Sequence, residues 1–268
     1  MGNYSDRLTT EVRLERMRPE QIEIAKRVRP AIYVPLGSIE WHGRQNPVGL
    51  DAIKAHEQLV ALAARVGGVV YPPVFFGCGG GHICYPATYM VAAQPMVAIV
   101  TDLLKGFERD GFKMAILVSG HYPNRSEFMD PAVAAYHQGG GTMRILSIVE
   151  CEVPDVGGDH AAYWETSAML HLHGETVDMS ALGPPPAALA DQAENFMPIE
   201  FHDHPCYGIL GLDPRGRASA VAGKTHTDRL VEFFARWLDG EEPARGNGWL
   251  RAPDQPEPSR QGTGLDPG

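Results

Sequence analysis

An α/β fold is predicted for this chain: one domain in three layers, α/β/α, around a central, mostly parallel sheet. Three observations carry that reading. AIYVPLG (31–37) and KMAILVSG (113–120) are short apolar runs, rich in β-branched or small residues and closed by glycine, as buried strands are. Helical patterns of about 10–17 residues separate the strand-like runs, which makes βαβ units. A length of 268 residues, with 44% apolar and 21% charged residues, fits a globular chain with a sizeable core.

The elements follow in order. DAIKAHEQLVALAARV (51–66) puts Ile53, Leu59, Val60, Ala63 and Val66 on one helical face. GGVVYPPVFFG (67–77) reads as strand and loop, and PMVAIVTDLLKGFERDG (95–111) as a helix ended by Gly111. After the strand at 113–120, SEFMDPAVAAYHQ (126–138) is a helix that Pro131 either starts or breaks. TMRILSIVE (142–150) is a further strand. HAAYWETSAMLHLHG (160–174) and TDRLVEFFARWLDG (227–240) are the last helices. Residues 1–240 form the expected domain. The tail from Glu241 is rich in Pro, Gly and charge, and is expected to be disordered or draped on a neighbour.

Composition narrows the function. A net charge of −10 argues against nucleic acid or an anionic membrane as partner, since both need a basic surface. No apolar run approaches 18 residues, and the polar start reads as neither signal peptide nor membrane span. MGNYSD matches the myristoylation pattern only loosely and is read as a free start. Cys78, Cys84, Cys151 and Cys206 lack CxxC spacing and look like reduced thiols of a cytoplasmic protein.

The chemistry gathers in three clusters. Glu40, His42 and Asp51 follow the strand 31–37 in GSIEWHGRQNPVGLD. They therefore sit at a strand's carboxyl end, where open α/β sheets collect ligands. Carboxylate, imidazole, carboxylate is the donor chemistry of a divalent metal. An ordinary polar loop with Asp51 as a helix cap accounts for the same residues. His121 follows the strand 113–120 directly, at the same sheet edge, or merely bonds a backbone carbonyl. In GGDHAAYWETS, Asp159 reads as an N-cap and His160 opens the helix. Glu165 lies among apolar neighbours and needs a partner, either a metal or a salt bridge.

Other motifs fail on inspection. Gly77 to His82 has His82 where GxGxxG needs glycine, so the stretch reads as a tight active-site loop. Gly223-Lys224-Thr225 resembles the end of a P-loop, but Ala218 stands at its first glycine. GxSxG does not occur. The HxH pairs His171/His173 and His202/His204 read as solvated, inter-subunit or adventitious metal-binding groups.

The clusters together resemble the creatininase family. Its segments PxGSxEQHGPHLPLxxD, GxSxEHxxFPGT, NGHxxN and HAGxxETS correspond to PLGSIEWHGRQNPVGLD, GCGGGHICYPAT, SGHYPN and HAAYWETS here, in the same order. GLDPRGRASAVAGK (211–224) is similar to a further family segment. The resemblance implies a creatininase-like fold, a dinuclear site of Zn, Mn or Fe, and hydrolysis of a C–N amide or cyclic amide of a small molecule. Family members include creatininase, a formamide hydrolase acting on a pyrimidine nucleotide, and a peptidase that trims a peptide-derived redox cofactor. Homo-oligomers, commonly hexamers, are the family's habit.

Carried over, Glu40 binds one ion, His42 and His121 the other, and Asp51 bridges them. The family's Glu two residues after the third-cluster His is Pro123 here, and Glu165 is the candidate replacement. Gln45 stands at the family's second His, and Gly79 and Gly81 stand at its loop Ser and Glu, which disfavours creatinine itself. His82, Tyr122 and Gly79 are the expected substrate contacts. His160 and Glu165 are the expected catalytic groups, with His160, at an ordinary pKa of about 6.5, protonating the leaving nitrogen. A metal-assisted lyase or isomerase, or a non-catalytic relative, remain the alternatives.

Overall fold

The structure is a computed structural model, and it describes residues 11–80, 82–184 and 208–246. Gly81, Cys206, His202 and His204 fall outside these residues, as does the tail beyond residue 246.

Four strands form one parallel sheet in the order β2-β1-β3-β4. They are β1 (Ala31–Leu36), β2 (Val69–Val70), β3 (Met114–Ser119) and β4 (Arg144–Val149). The flanking helices are α1 (Pro19–Val28), α2 (Leu50–Val66), α3 (Ala93–Arg109), α4 (Asp130–Gln138), α5 (Tyr163–His173) and α6 (Ala220–Leu238). Alternation along the strands builds the layers. Ala31, Tyr33, Ile116 and Val118 pack with α2 and α6 residues such as Leu59, Leu230 and Phe234. Ile32, Val34, Leu36, Ala115 and Leu117 pack on the other face with Met96, Val100, Leu104 and Ala132 of α3 and α4. Among the described residues no helix is long and apolar enough to cross a membrane.

Most expected elements are present, with displaced ends. Pro131 lies in the first turn of α4, and a π-helical turn, Arg125–Met129, runs into it. Proline is tolerated there because the first-turn N–H has no helical partner. α5 begins at Tyr163, so His160 does not open it. His160 instead pairs its backbone with Leu210 in an antiparallel bridge. α6 begins at Ala220, where the Ser219 side chain caps the Ala222 N–H. Gly223 belongs to this helix, and a Cβ there would stand 1.9 Å from the Ser167 carbonyl oxygen. The P-loop-like glycine is thus a contact point between α5 and α6. Helix α1 has no counterpart in the sequence reading. Its signals are Pro19 at the first position and Gln21, whose Oε1 accepts the Arg18 N–H at 2.8 Å.

The chain runs from β1 outward to β2, then returns across β1 to β3. The order therefore reverses between β1 and β3, and a crevice opens beyond their carboxyl ends. Two glycines bring α2 into it. A Cβ on Gly37 would lie 2.2 Å from Ala52 N, and one on Gly120 would lie 2.5 Å from the Asp51 carbonyl oxygen. The first turn of α2 rests directly on these glycines.

Gly120→Ala is expected to overpack this contact by about 1–3 kcal/mol and to lower Tm by several degrees. Differential scanning calorimetry measures it. An unchanged Tm would mean that α2 is not seated as described.

Candidate metal centre

The turn after β1 supplies Glu40 and His42, the first turn of α2 supplies Asp51, the turn after β3 supplies His121, and α5 supplies Glu165. All five side chains are buried. Asp51 stands between two donor sets. Its Oδ1 is 3.1 Å from His42 Nε2, and its Oδ2 is 3.5 Å from His121 Nδ1. His121 Nδ1 also lies 2.8 Å from Glu40 Oε2, and His42 Nε2 lies 3.6 Å from Glu165 Oε2. Glu40, Asp51 and His121 thus form one group able to hold a cation. His42, His160 and Glu165 form another, and Asp51 Oδ1 reaches its His42 at 3.1 Å. The two imidazoles that the resemblance assigns to one ion face opposite oxygens of Asp51.

The surroundings aim these donors. His42 Nδ1 donates to the Glu40 carbonyl at 3.0 Å, and His121 Nε2 donates to the Cys78 carbonyl at 3.2 Å. A carbonyl only accepts, so each ring's outward nitrogen carries a proton, and its inward nitrogen is the one whose proton an ion would replace. Metal-binding histidines are oriented in this way. The Ser38 hydroxyl donates to Asp51 Oδ2 at 2.7 Å and fixes its carboxylate. Glu40 Oε1 makes no well-directed hydrogen bond among the described residues, although His82 Nδ1 is 3.0 Å away. Converging carboxylates, oriented imidazoles and a spare carboxylate oxygen fit a pair of divalent ions.

A third group, Glu40, His82 and His160, has ligand atoms within 4.8 Å of one another. Its geometry suits a cation poorly. The His82 and His160 rings stack at 3.7 Å and 20°, so their in-plane lone pairs run side by side rather than to one point.

Electrostatics match the donor set. Burial opposes protonation of His42, but Asp51, Glu165 and Glu40 outweigh it and push its pKa to about 9. His121 is likewise disfavoured by burial, yet Asp51 and Glu40 raise it to about 10. Burial and then Glu165 push Asp159 up to about 8. His160 departs from expectation. Burial, with His42 and His82 nearby, holds its pKa well below the ordinary imidazole value. Its Nε2–H donates to the Trp41 carbonyl at 2.7 Å, leaving Nδ1 as the basic nitrogen. His160 therefore rests neutral and is not a ready acid.

A cavity of about 250 Å³ opens onto the cluster and is lined by Glu40, His82, His121, Tyr122, His160 and Glu165, among others. Gly80, not Gly79, stands on its wall. Gly79 packs beside Glu127. Pro123 also lines the cavity and offers no side-chain donor. Gln45 is buried away from substrate space, and its Nε2 donates to the Ala161 carbonyl at 2.6 Å. Asp159 does cap α5, from outside the expected position: its oxygens accept the N–H groups of Trp164 (2.7 Å) and Glu165 (3.2 Å). Two buried charges escaped the sequence reading. Lys54 Nζ lies 3.0 Å from Glu165 Oε1 and 2.8 Å from Glu150 Oε2.

The pKa directions set the stability of the ion-free protein. His42 and His121 bind protons more tightly folded than unfolded, so their contribution is full below about pH 6.5 and is lost as pH rises through about 9 and 10. Asp159, raised to about 8, works in the same direction. His160 has the opposite sign but is neutral in both states above about pH 7. Chelator-treated protein is therefore expected to lose a few kcal/mol between about pH 7 and pH 10. Urea unfolding across that range measures it, and rising stability would contradict the assignment.

The sequence profile of the creatininase family, described as creatinine amidohydrolase, matches residues 15–238. A mycofactocin precursor peptide peptidase of Mycolicibacterium smegmatis is 32% identical over 155 residues, covering 55% of this chain and 60% of the peptidase. The chain thus spans less than two thirds of that relative. A 3-dehydro-scyllo-inosose hydrolase of Thermotoga maritima is 27% identical over 261 residues, covering 85% and 82% of the two chains. The fold is that of a solved creatininase, with a TM-score of 0.69 at 20% identity over 86% of this chain and 97% of that one. Solved creatininases of the same fold include a zinc–zinc form and a manganese form. With its profile matched over most of its length and its fold shared, the chain belongs to the creatininase family.

Proposed function

We propose that the chain is a metal-dependent hydrolase that cleaves a C–N amide or cyclic-amide bond of a small molecule. The observation that carries this reading is the Asp51 carboxylate, faced on one oxygen by His42 and on the other by His121. Glu40, Asp51 and His121 would hold one divalent ion, and His42, Asp51 and Glu165 the second. The donor set suits Zn, Mn or Fe. When bound, such a pair supplies a Lewis acid and lowers the pKa of water towards about 7.

The chain's own groups do the rest. Neutral His160 accepts the nucleophile's proton at Nδ1 and passes it to the leaving nitrogen, since its Nε2–H is already engaged with Trp41. The Trp41 carbonyl keeps the Nε2 proton in place throughout. His82 and Tyr122, both on the cavity wall, are the substrate contacts. The cavity's modest size favours a small substrate. Gln45, turned away from it, supports a substrate other than creatinine. Exposed Phe76, Ile83 and Tyr89, on the loop between β2 and α3, support homo-oligomeric assembly. A second reading, hydrolysis beside a ketone carbon, is favoured by the relative named for an inosose. Both readings place nucleophilic attack at a carbonyl carbon.

Asp51→Ala and His121→Ala are expected to lose bound metal and activity together. His160→Ala is expected to keep its metal and lose about 10²–10⁴-fold in turnover. Metal content by mass spectrometry, with amine, ammonia and carboxylate release from cyclic and linear amides, provides the readout. Full activity after replacing Glu40, His42 and Asp51 together by alanine would end the proposal.

A further inference from the structure

Lys54 is 1% exposed, an unusual place for an ammonium group. Removing it from water is costly, and an apolar side chain of similar length often serves stability as well or better. Its geometry suggests another role. Nζ takes Glu165 Oε1 at 3.0 Å and is held on its other side by Glu150 Oε2 at 2.8 Å. The Ala161 N–H takes Glu165 Oε2 at 2.7 Å. Donors on both oxygens fix the plane of the carboxylate. Oε2 then sits 3.6 Å from His42 Nε2 with a lone pair to spare. Ala161 adopts a left-handed φ of +56°, and its carbonyl is held by Gln45 at 2.6 Å. The strain at this position marks how firmly that N–H is aimed. Pro123, on the same cavity wall, supplies no donor that could replace Glu165.

We propose that Lys54, braced by Glu150, is a positioning residue that presents the Glu165 carboxylate to the second ion. The inference rests on the reading that two ions bind. Charge alone gives the opposite expectation, so the two are separable. Glu150→Gln removes a negative charge near the site but leaves the Lys54–Glu165 contact. Lys54→Met combined with Glu150→Gln leaves the net charge unchanged but removes that contact.

Ion-free full-length wild type and both variants are titrated with Zn²⁺, by calorimetry and by competition with a chromogenic chelator. Wild type is expected to take up two ions. Glu150→Gln is expected to keep second-ion affinity within about threefold, whereas the double variant loses about 10–100-fold at that step with the first ion unaffected. A double variant that binds the second ion like wild type overturns the inference alone, as does a Glu150→Gln variant weaker than the double. Wild type that takes up no ion overturns both this inference and the proposed function. If the double variant also loses the first ion, Glu150→Gln decides, and loss of its second ion overturns the proposal.

Discussion

Asp51 reaches two imidazoles at once because the first turn of α2 lies flat against the ends of two strands. Gly37 closes β1 and Gly120 closes β3, and neither carries a Cβ that would hold the helix away. The strand order reverses between these same two strands, so the crevice expected at the sheet's carboxyl edge opens where Asp51 enters. Glu40, His42 and His121 leave the same two strand ends and need only short turns to meet it. Backbone packing thus sets the position of the central carboxylate, and the remaining donors are arranged around it.

The electrostatics follow from that convergence. Five buried carboxyl groups, Glu40, Asp51, Glu150, Asp159 and Glu165, lie in this region with Lys54 as the permanent buried cation. The field that keeps protons on His42 and His121 is the field a divalent ion would experience, so ions and protons compete for the same nitrogens. Backbone carbonyls hold the far side of each ring and commit the near side to the centre. Glu165 is governed separately, by Lys54 and the Ala161 N–H.

Much of this was legible in the sequence because the signals are local. Glu40, His42, Asp51 and His121 stand beside the two strongest strand patterns, and neighbourhood to a strand end locates them without tertiary information. Glu165 was visible as a carboxylate among apolar helix residues. The failures are non-local. Lys54 lies 111 residues from its partner Glu165, and a lysine in an amphipathic helix ordinarily reads as solvent-facing. The resemblance of Asp159 to an N-cap places His160 on a helix, whereas the Asp159 carboxylate reaches forward to the Trp164 and Glu165 N–H groups across an irregular turn. Its altered basicity depends on burial and on rings brought from other turns, which no spacing records. Helix α1 is short and mostly polar, with no fully buried residue, so few apolar positions mark it.

The central claim is that one carboxylate joins two ion sites, and anomalous diffraction from crystals grown with manganese or zinc tests it most directly. Two peaks about 3.5–4 Å apart are expected, one among Glu40, Asp51 and His121 and the other among Asp51, His42 and Glu165. A single peak, or ions bound without Asp51 between them, would contradict it.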